Sequence, residues 1–173
     1  MNEVMSTILA RQSCRAYKPD MPAKEDIDQI IQAGLWAATG GNCQSPIIVE
    51  ITNKELRDRV AAMNAAVMGL DMDPFYGAPV VLVVLADRNA STHVYDGSLA
   101  MGNMMLAASS LGLGSCWIHR AREVFDSDEG KAILADLGVE GDYEGIGNLI
   151  VGIPAAEPGE PKPRNEGRVF VAE

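Results

Sequence analysis

Arg11-Gln12-Ser13-Cys14-Arg15 sets two arginines and a serine at alternate positions, just past a stretch with helical spacing. In extended backbone alternate side chains face one way, so Arg11, Ser13 and Arg15 can converge on one oxyanion, and a phosphate suits them. The same residues also read as exposed arginines that neutralise local acids. Cys14 lies between them with no adjacent base to mark it as a nucleophile.

Three further segments carry polar chemistry. Ala38-Thr39-Gly40-Gly41-Asn42-Cys43-Gln44 is a glycine turn rich in donors and acceptors. Its amides can approach a planar heteroaromatic ring, and Asn or Gln can pair with an amide-like edge; a helix C-cap with a polar loop gives the same pattern. Gly112-Leu113-Gly114-Ser115-Cys116-Trp117-Ile118-His119-Arg120 lacks the dinucleotide pattern G-x-G-x-x-G, and its glycines end a helix rather than start one. Any role there falls to the backbone amides near His119 and Arg120 or to His119 itself, the alternative being a structural imidazole. Pro161-Lys162-Pro163-Arg164 puts two cations on a proline-stiffened arm or on a solvated tail. Serine-hydrolase, metalloprotease and P-loop signatures are all missing.

The elements that must position these residues follow from periodicity. Val4, Met5, Ile8 and Leu9 predict a first helix ending near Arg11, and Ile27, Ile30, Ile31 and Leu35 predict a second, ending before Gly40. Residues 47–51 and 79–86 are β-branched, apolar runs that predict strands, the second covered on both faces. Between them Lys54 to Met68 predicts a helix. A long apolar helix is expected from Tyr95 to Leu111, strands at 115–118 and 148–153, and a polar helix around Asp128 to Leu137. Arg168 to Val171 is a candidate terminal strand. The whole reads as one α+β domain, residues 1–173, with a mixed or antiparallel sheet flanked by helices and an extended arm over 154–173.

Of 173 residues 47% are hydrophobic, enough for a core, and 24 acids against 14 bases leave a net charge of -10. That balance excludes nucleic acid and anionic membrane as main partners. Asp96 is the single charge between Val94 and Ile118. Asn103, Ser109, Ser110 and the glycines at 112 and 114 make that stretch a helix buried within the protein or at a subunit interface, not a membrane span. Cys14, Cys43 and Cys116, with no C-x-x-C pair, fit free thiols in a reducing compartment. Two histidines are too few to build a zinc site with Cys116 and His119, and no metal is expected. The first residues lack a signal-peptide pattern, so a cytoplasmic protein is expected.

Taken in order, R-Q-S-C-R at 11–15, A-T-G-G-N-C-Q at 38–44, G-A-P-V-V-L-V-V at 77–84, G-L-G-S-C-W-I at 112–118 and G-I-P…K-P-R at 152–164 resemble the FMN-dependent nitroreductase family over nearly the full length. The resemblance implies a three-layer fold and a homodimer that exchanges its C-terminal arms and holds two FMN sites lined by both chains. Arg11, Ser13 and Arg15, with Lys162 and Arg164, would hold the phosphate and ribityl chain. Thr39, Gly40 and Asn42 would touch the flavin of the other subunit, Asn64 would stand at the pyrimidine edge, and the amides of His119 and Arg120 near flavin N5.

The implied activity is ping-pong reduction of nitroaromatics, quinones or similar small acceptors by NADH or NADPH, with the flavin as the reacting group and no catalytic side chain assigned. Other activities on the same fold are an ene-reductase, a dehalogenase, an azoline dehydrogenase or a flavin-consuming enzyme. From another class, a flavin-binding or redox-sensing protein without efficient turnover also fits. The chain departs from the family at Ala38-Thr39, where Pro-Ser is usual, and at Gln44-Ser45-Pro46, where Q-P-W is common. It is also shorter than many members, which implies loss of a helical insertion over the substrate pocket.

Overall fold

The computed structural model describes residues 1–172. Its elements in chain order are α1 (Glu3–Ala10), α2 (Lys24–Leu35), a 3-10 turn (Gly40–Asn42), β1 (Pro46–Ile51), α3 (Lys54–Met68), β2 (Val80–Asp87), α4 (His93–Ser110), β3 (Gly114–Ile118), α5 (Ala121–Asp126), α6 (Asp128–Asp136) and β4 (Tyr143–Gly152). The four strands lie in the order β1-β2-β4-β3 and every pair is antiparallel. The parallel component of a mixed sheet is confined to an isolated bridge between Ser13 and Ser115.

β2 explains the layering. Its side chains alternate: Val81, Val83 and Leu85 enter a core with Val60 and Ala61 of α3, Val124 and Phe125 of α5, and Ile133 and Leu134 of α6. Val80, Leu82, Val84 and Ala86 enter a second core with Ile27 and Ile30 of α2 and Ala100, Met101 and Met104 of α4. A strand buried on both faces has no polar side to show, hence the unbroken apolar run.

β4 begins five residues earlier than its apolar segment predicts, because Tyr143-Glu144-Gly145-Ile146-Gly147 carries close contacts instead of β-branched side chains. The register slips between Val84 and Leu85, so Gly147 and Gly145 are their respective partners and Ile146 is the extra residue. This bulge reverses the alternation and turns Ile146 into the α2/α4 core alongside Leu149 and Val151. A Cβ on Gly145 would stand 2.4 Å from the carbonyl carbon and oxygen of Ala121, where α5 crosses the strand. Gly145→Ala is therefore expected to cost about 1–3 kcal/mol through a backbone shift, read as a fall of about 2–10 °C in Tm.

α5 has only six residues, too few to show a period, and starts from Arg120 in the left-handed region (φ 78°). The terminal strand expected at 168–171 does not form. Those residues are coil and Phe170 is 92% exposed, since an isolated strand has no ladder to satisfy its amides. His93 is the first residue of α4, two residues ahead of the predicted start at Tyr95.

An ion pair between buried Arg57 and half-buried Asp73 sets the loop ahead of β2. Arg57 donates to Asp73 (2.6 Å) and to the Ala78 carbonyl (3.1 Å), and its guanidinium stacks 5.5 Å from the Phe75 ring. Burial pushes the Asp73 carboxyl up, but the Arg57 bond and the amides of Gly77 and Phe75 outweigh it and hold the group below the usual carboxylate range. A folded-state pKa below the unfolded one gives stability that is present above the unfolded value and is lost as pH falls through the folded value. Tm is expected to drop on acidification below about pH 4, and Asp73→Asn to flatten part of that slope in thermal melts taken against pH.

Candidate functional site

α1 ends at Arg11, where the backbone turns extended (φ -54°, ψ 128°). The chain is then clamped between two strands: the Cys14 amide donates to the Ser115 carbonyl (2.9 Å), the Lys18 amide to Ile153 (2.8 Å) and the Ala155 amide to Ala16 (3.0 Å). Residues 10–16, 112–115 and 153–159 thereby wall a cavity of about 900 Å3. Cys14 packs beneath it against Gly114, where a Cβ would meet its Sγ at 2.7 Å. The Tyr17 hydroxyl donates to the Cys14 carbonyl (2.7 Å). Burial first, then the neighbouring Cys14 and Cys116, push that phenol far above its usual pKa.

Arg11, Ser13 and Arg15 all line the cavity, joined by Lys18, which the sequence reading left out. Among the described residues none of these three cations has a carboxylate within 4.0 Å, although the protein carries ten more acids than bases. Half-buried Arg11 and exposed Arg15 keep their donors free toward the cavity. The arm closes one wall, with the Gln12 amide group donating to the Gly159 carbonyl. Lys162 and Arg164 lie beyond that wall: they are exposed, and Arg164 donates to the Lys162 carbonyl (2.9 Å).

β3 leads from Ser115 at the cavity to His119, four residues or about 13 Å along the strand. The side chains of His119 and Arg120 are exposed, and Arg120 pairs with Glu123 (2.7 Å). The peptide they share is held from below by Asn64 on α3. Asn64 is fully buried, its Nδ2 donates to the His119 carbonyl (2.9 Å), and its Oδ1 has no protein partner. Asn64 therefore grips the 119–120 backbone rather than facing open space.

Thr39, Gly40 and Asn42 lie elsewhere. Their turn carries left-handed backbone at Gly41 and Asn42 (φ 56° each) and at Gln44 (φ 51°). Thr39 Oγ1 accepts from the Gln44 amide (3.0 Å), and the turn hangs on Asp96 in the first turn of α4. Ser109, at the cavity, is thirteen residues further along the same helix, about 20 Å away. One chain brings Arg11, Ser13 and Arg15 together and does not bring Thr39, Gly40 and Asn42 to them. Asp96 was visible in the sequence only as the lone charge of an uncharged stretch, and that isolation was the available signal.

The chain belongs to the Nitroreductase family, whose sequence model matches residues 8–69 and 64–153. It superimposes on a crystal structure of a Bacteroides fragilis nitroreductase with bound FMN at a TM-score of 0.89, with 28% identity and all of both chains covered. A protein of Archaeoglobus fulgidus named for NADH dehydrogenase and NAD(P)H nitroreductase is 30% identical across 91% of this chain and 88% of its own length. An NADPH-flavin oxidoreductase of Vibrio harveyi is 30% identical across all of this chain and 74% of its own. No helix among the described residues is long and apolar enough to cross a membrane.

Proposed function

We propose that the protein is an FMN-dependent oxidoreductase that takes electrons from NADH or NADPH and reduces small acceptors such as nitroaromatics or quinones. The observation that carries this reading is the set of unpaired cations, Arg11, Arg15 and Lys18, on one cavity of an acidic protein. Uncompensated guanidinium groups in a concave site fit a phosphate, and about 13 Å of β3 leads from them to the backbone of His119 and Arg120. An elongated ligand with an anionic tail and a planar head matches that spacing. When bound, FMN supplies hydride acceptance and electron transfer at one ring position, the chemistry that no side chain provides.

The residues divide the work of holding it. Arg11, Ser13 and Arg15 bind the phosphate end, and Lys162 and Arg164 join them when the arm packs against a second chain. Asn64 fixes the His119–Arg120 peptide so that the backbone amides of these two residues point at the ring, where a donor stabilises developing negative charge. Thr39, Gly40 and Asn42 serve the flavin bound by the other chain of a homodimer.

Exposed apolar surface supports that assembly. α1 has no buried residue and shows Val4, Met5, Ile8 and Leu9; α4 shows Tyr95 and Leu99; the arm ends in Val169, Phe170 and Val171. A monomer seldom exposes this much, and a two-fold partner that covers α4 would bring each turn to the other chain's cavity. The arms would cross between the two chains. Three free cysteines agree with a reducing cytoplasm.

The purified protein is expected to be yellow or to turn yellow with FMN, to bleach anaerobically with NADH or NADPH, and to regain colour with a nitroaromatic or a quinone. A protein that cannot be reconstituted with FMN would refute the reading. A yellow protein that neither nicotinamide bleaches would leave a flavin-binding role without turnover.

A further inference from the structure

The turn that bears Thr39, Gly40 and Asn42 has little of its own to hold it. Two backbone bonds (Asn42 to Thr39 and Cys43 to Gly40, each 3.1 Å) and the Gln44 to Thr39 bond are its internal ties. It also keeps Asn42 and Gln44 in the left-handed region, which is costly for residues with a Cβ. Such backbone persists only where the surroundings over-determine it. Apart from the Asp87 amide, which donates to the Ser45 carbonyl (3.0 Å) where β1 begins, the polar group that ties the turn to the rest of the chain is one carboxylate.

Asp96 is 2% exposed and receives four donors. The Gly40 amide reaches Oδ1 at 3.0 Å; Ser45 Oγ (2.7 Å), Thr92 Oγ1 (3.0 Å) and Cys43 Sγ (3.3 Å) reach Oδ2. Three of the four lie on or beside the turn, at 40, 43 and 45. No cation pairs with Asp96 among the described residues; its charge is met by these dipoles and by the N-terminal end of α4, on which it sits. The turn is also pressed against the helix, since a Cβ on Gly40 would come within 2.3 Å of Thr92 Oγ1. The Gly40 amide can only donate, and both hydroxyls and the thiol donate to this carboxylate; an asparagine keeps an acceptor for Gly40 but sets an NH2 where Oδ2 takes three donors, so those groups must turn or go unpaired.

We propose that Asp96 is the positioning residue of this site: from α4 it fixes the Thr39–Gln44 turn in the one conformation that can contact the flavin held by the partner chain. The proposal rests on the reading of that turn given above. Asp96 itself touches no flavin, and it acts on the ring end of the ligand rather than the phosphate end.

The test compares FMN with riboflavin, which lacks the phosphate, by fluorescence titration of the dimeric apoprotein. Asp96→Asn is expected to weaken both by a common factor of about ten or more, the usual consequence of losing hydrogen bonds to a charged group. The apoprotein should keep the parent's sedimentation, and its Tm should fall by only a few degrees as the turn loosens. Unchanged affinities in Asp96→Asn, alongside weakened ones in Asn42→Ala, would overturn the proposal and leave the site reading intact. Unchanged affinities in Asn42→Ala would overturn the reading, and the proposal with it. Binding lost together with the dimer, or with apoprotein that is no longer folded at the assay temperature, would assign Asp96 to the fold instead and overturn the positioning role. If Asp96→Asn does not fold, Ser45→Ala and Thr92→Val decide: each removes one donor, a smaller common loss for both flavins supports the proposal, and parent-like binding in both variants overturns it.

Discussion

Arg15→Ala is expected to weaken FMN binding by about 10- to 150-fold while leaving riboflavin binding nearly unchanged. The range follows from about 1.5–3 kcal/mol for a hydrogen bond to a charged group, converted at about 1.4 kcal/mol per factor of ten. Arg15 is exposed on the cavity wall and has no carboxylate partner among the described residues, so its removal breaks no ion pair in the fold. The loss should therefore appear in ligand affinity and not in apoprotein Tm. Raising the salt concentration should shrink the difference between parent and variant, because an exposed charge is screened within about 10 Å at 0.1 M. Equal FMN affinity in the two proteins would place the phosphate elsewhere.

Mixing two inactive chains is expected to restore activity. Asn42→Ala removes the turn's contribution, and Arg15→Ala removes the phosphate contact. If each site takes its phosphate residues from one chain and its turn from the other, a mixed dimer holds one site with both residues intact and one with neither. Random assortment makes half the dimers mixed, so co-expression should recover about a quarter of the parent's sites. Activity at limiting FMN, measured on chains refolded together and apart, reads this directly. Recovery at the level of the separate variants would mean that each site is built by a single chain. The geometry argues against that outcome, since the turn is anchored at Asp96 and the cavity reaches Ser109 at the far end of α4.

The secondary structure was legible where local signals agree. α3 runs over the predicted Lys54–Met68 because Asn53 caps its first turn, accepting from the Leu56 amide at 2.9 Å, and Gly69 ends it in the left-handed region. β2 matches its apolar run to within a residue at each end. Signals failed where a residue serves a distant contact: the strand predicted to begin at 148 already runs through Gly145 and Gly147, which are glycine because α5 and the Trp117 ring leave no room for a Cβ. The candidate site shows the same division. Alternation singled out Arg11, Ser13 and Arg15, which do line one cavity, whereas nothing beside Lys18 marks it and Asp96 stood out only as the lone charge of its stretch.

The sequence by itself determined the family pattern, the clustering of spare cations in an acidic chain, and a central strand covered on both faces. Those properties reside in residue type and spacing, which set dihedral preference and burial period. Only the tertiary structure decided that residues 11–15 meet 112–115, about a hundred positions away in the chain, and that the Thr39–Gln44 turn hangs from the opposite end of α4. Which segments meet depends on how both faces of the sheet are covered at once, and no local stretch of chain encodes that sum.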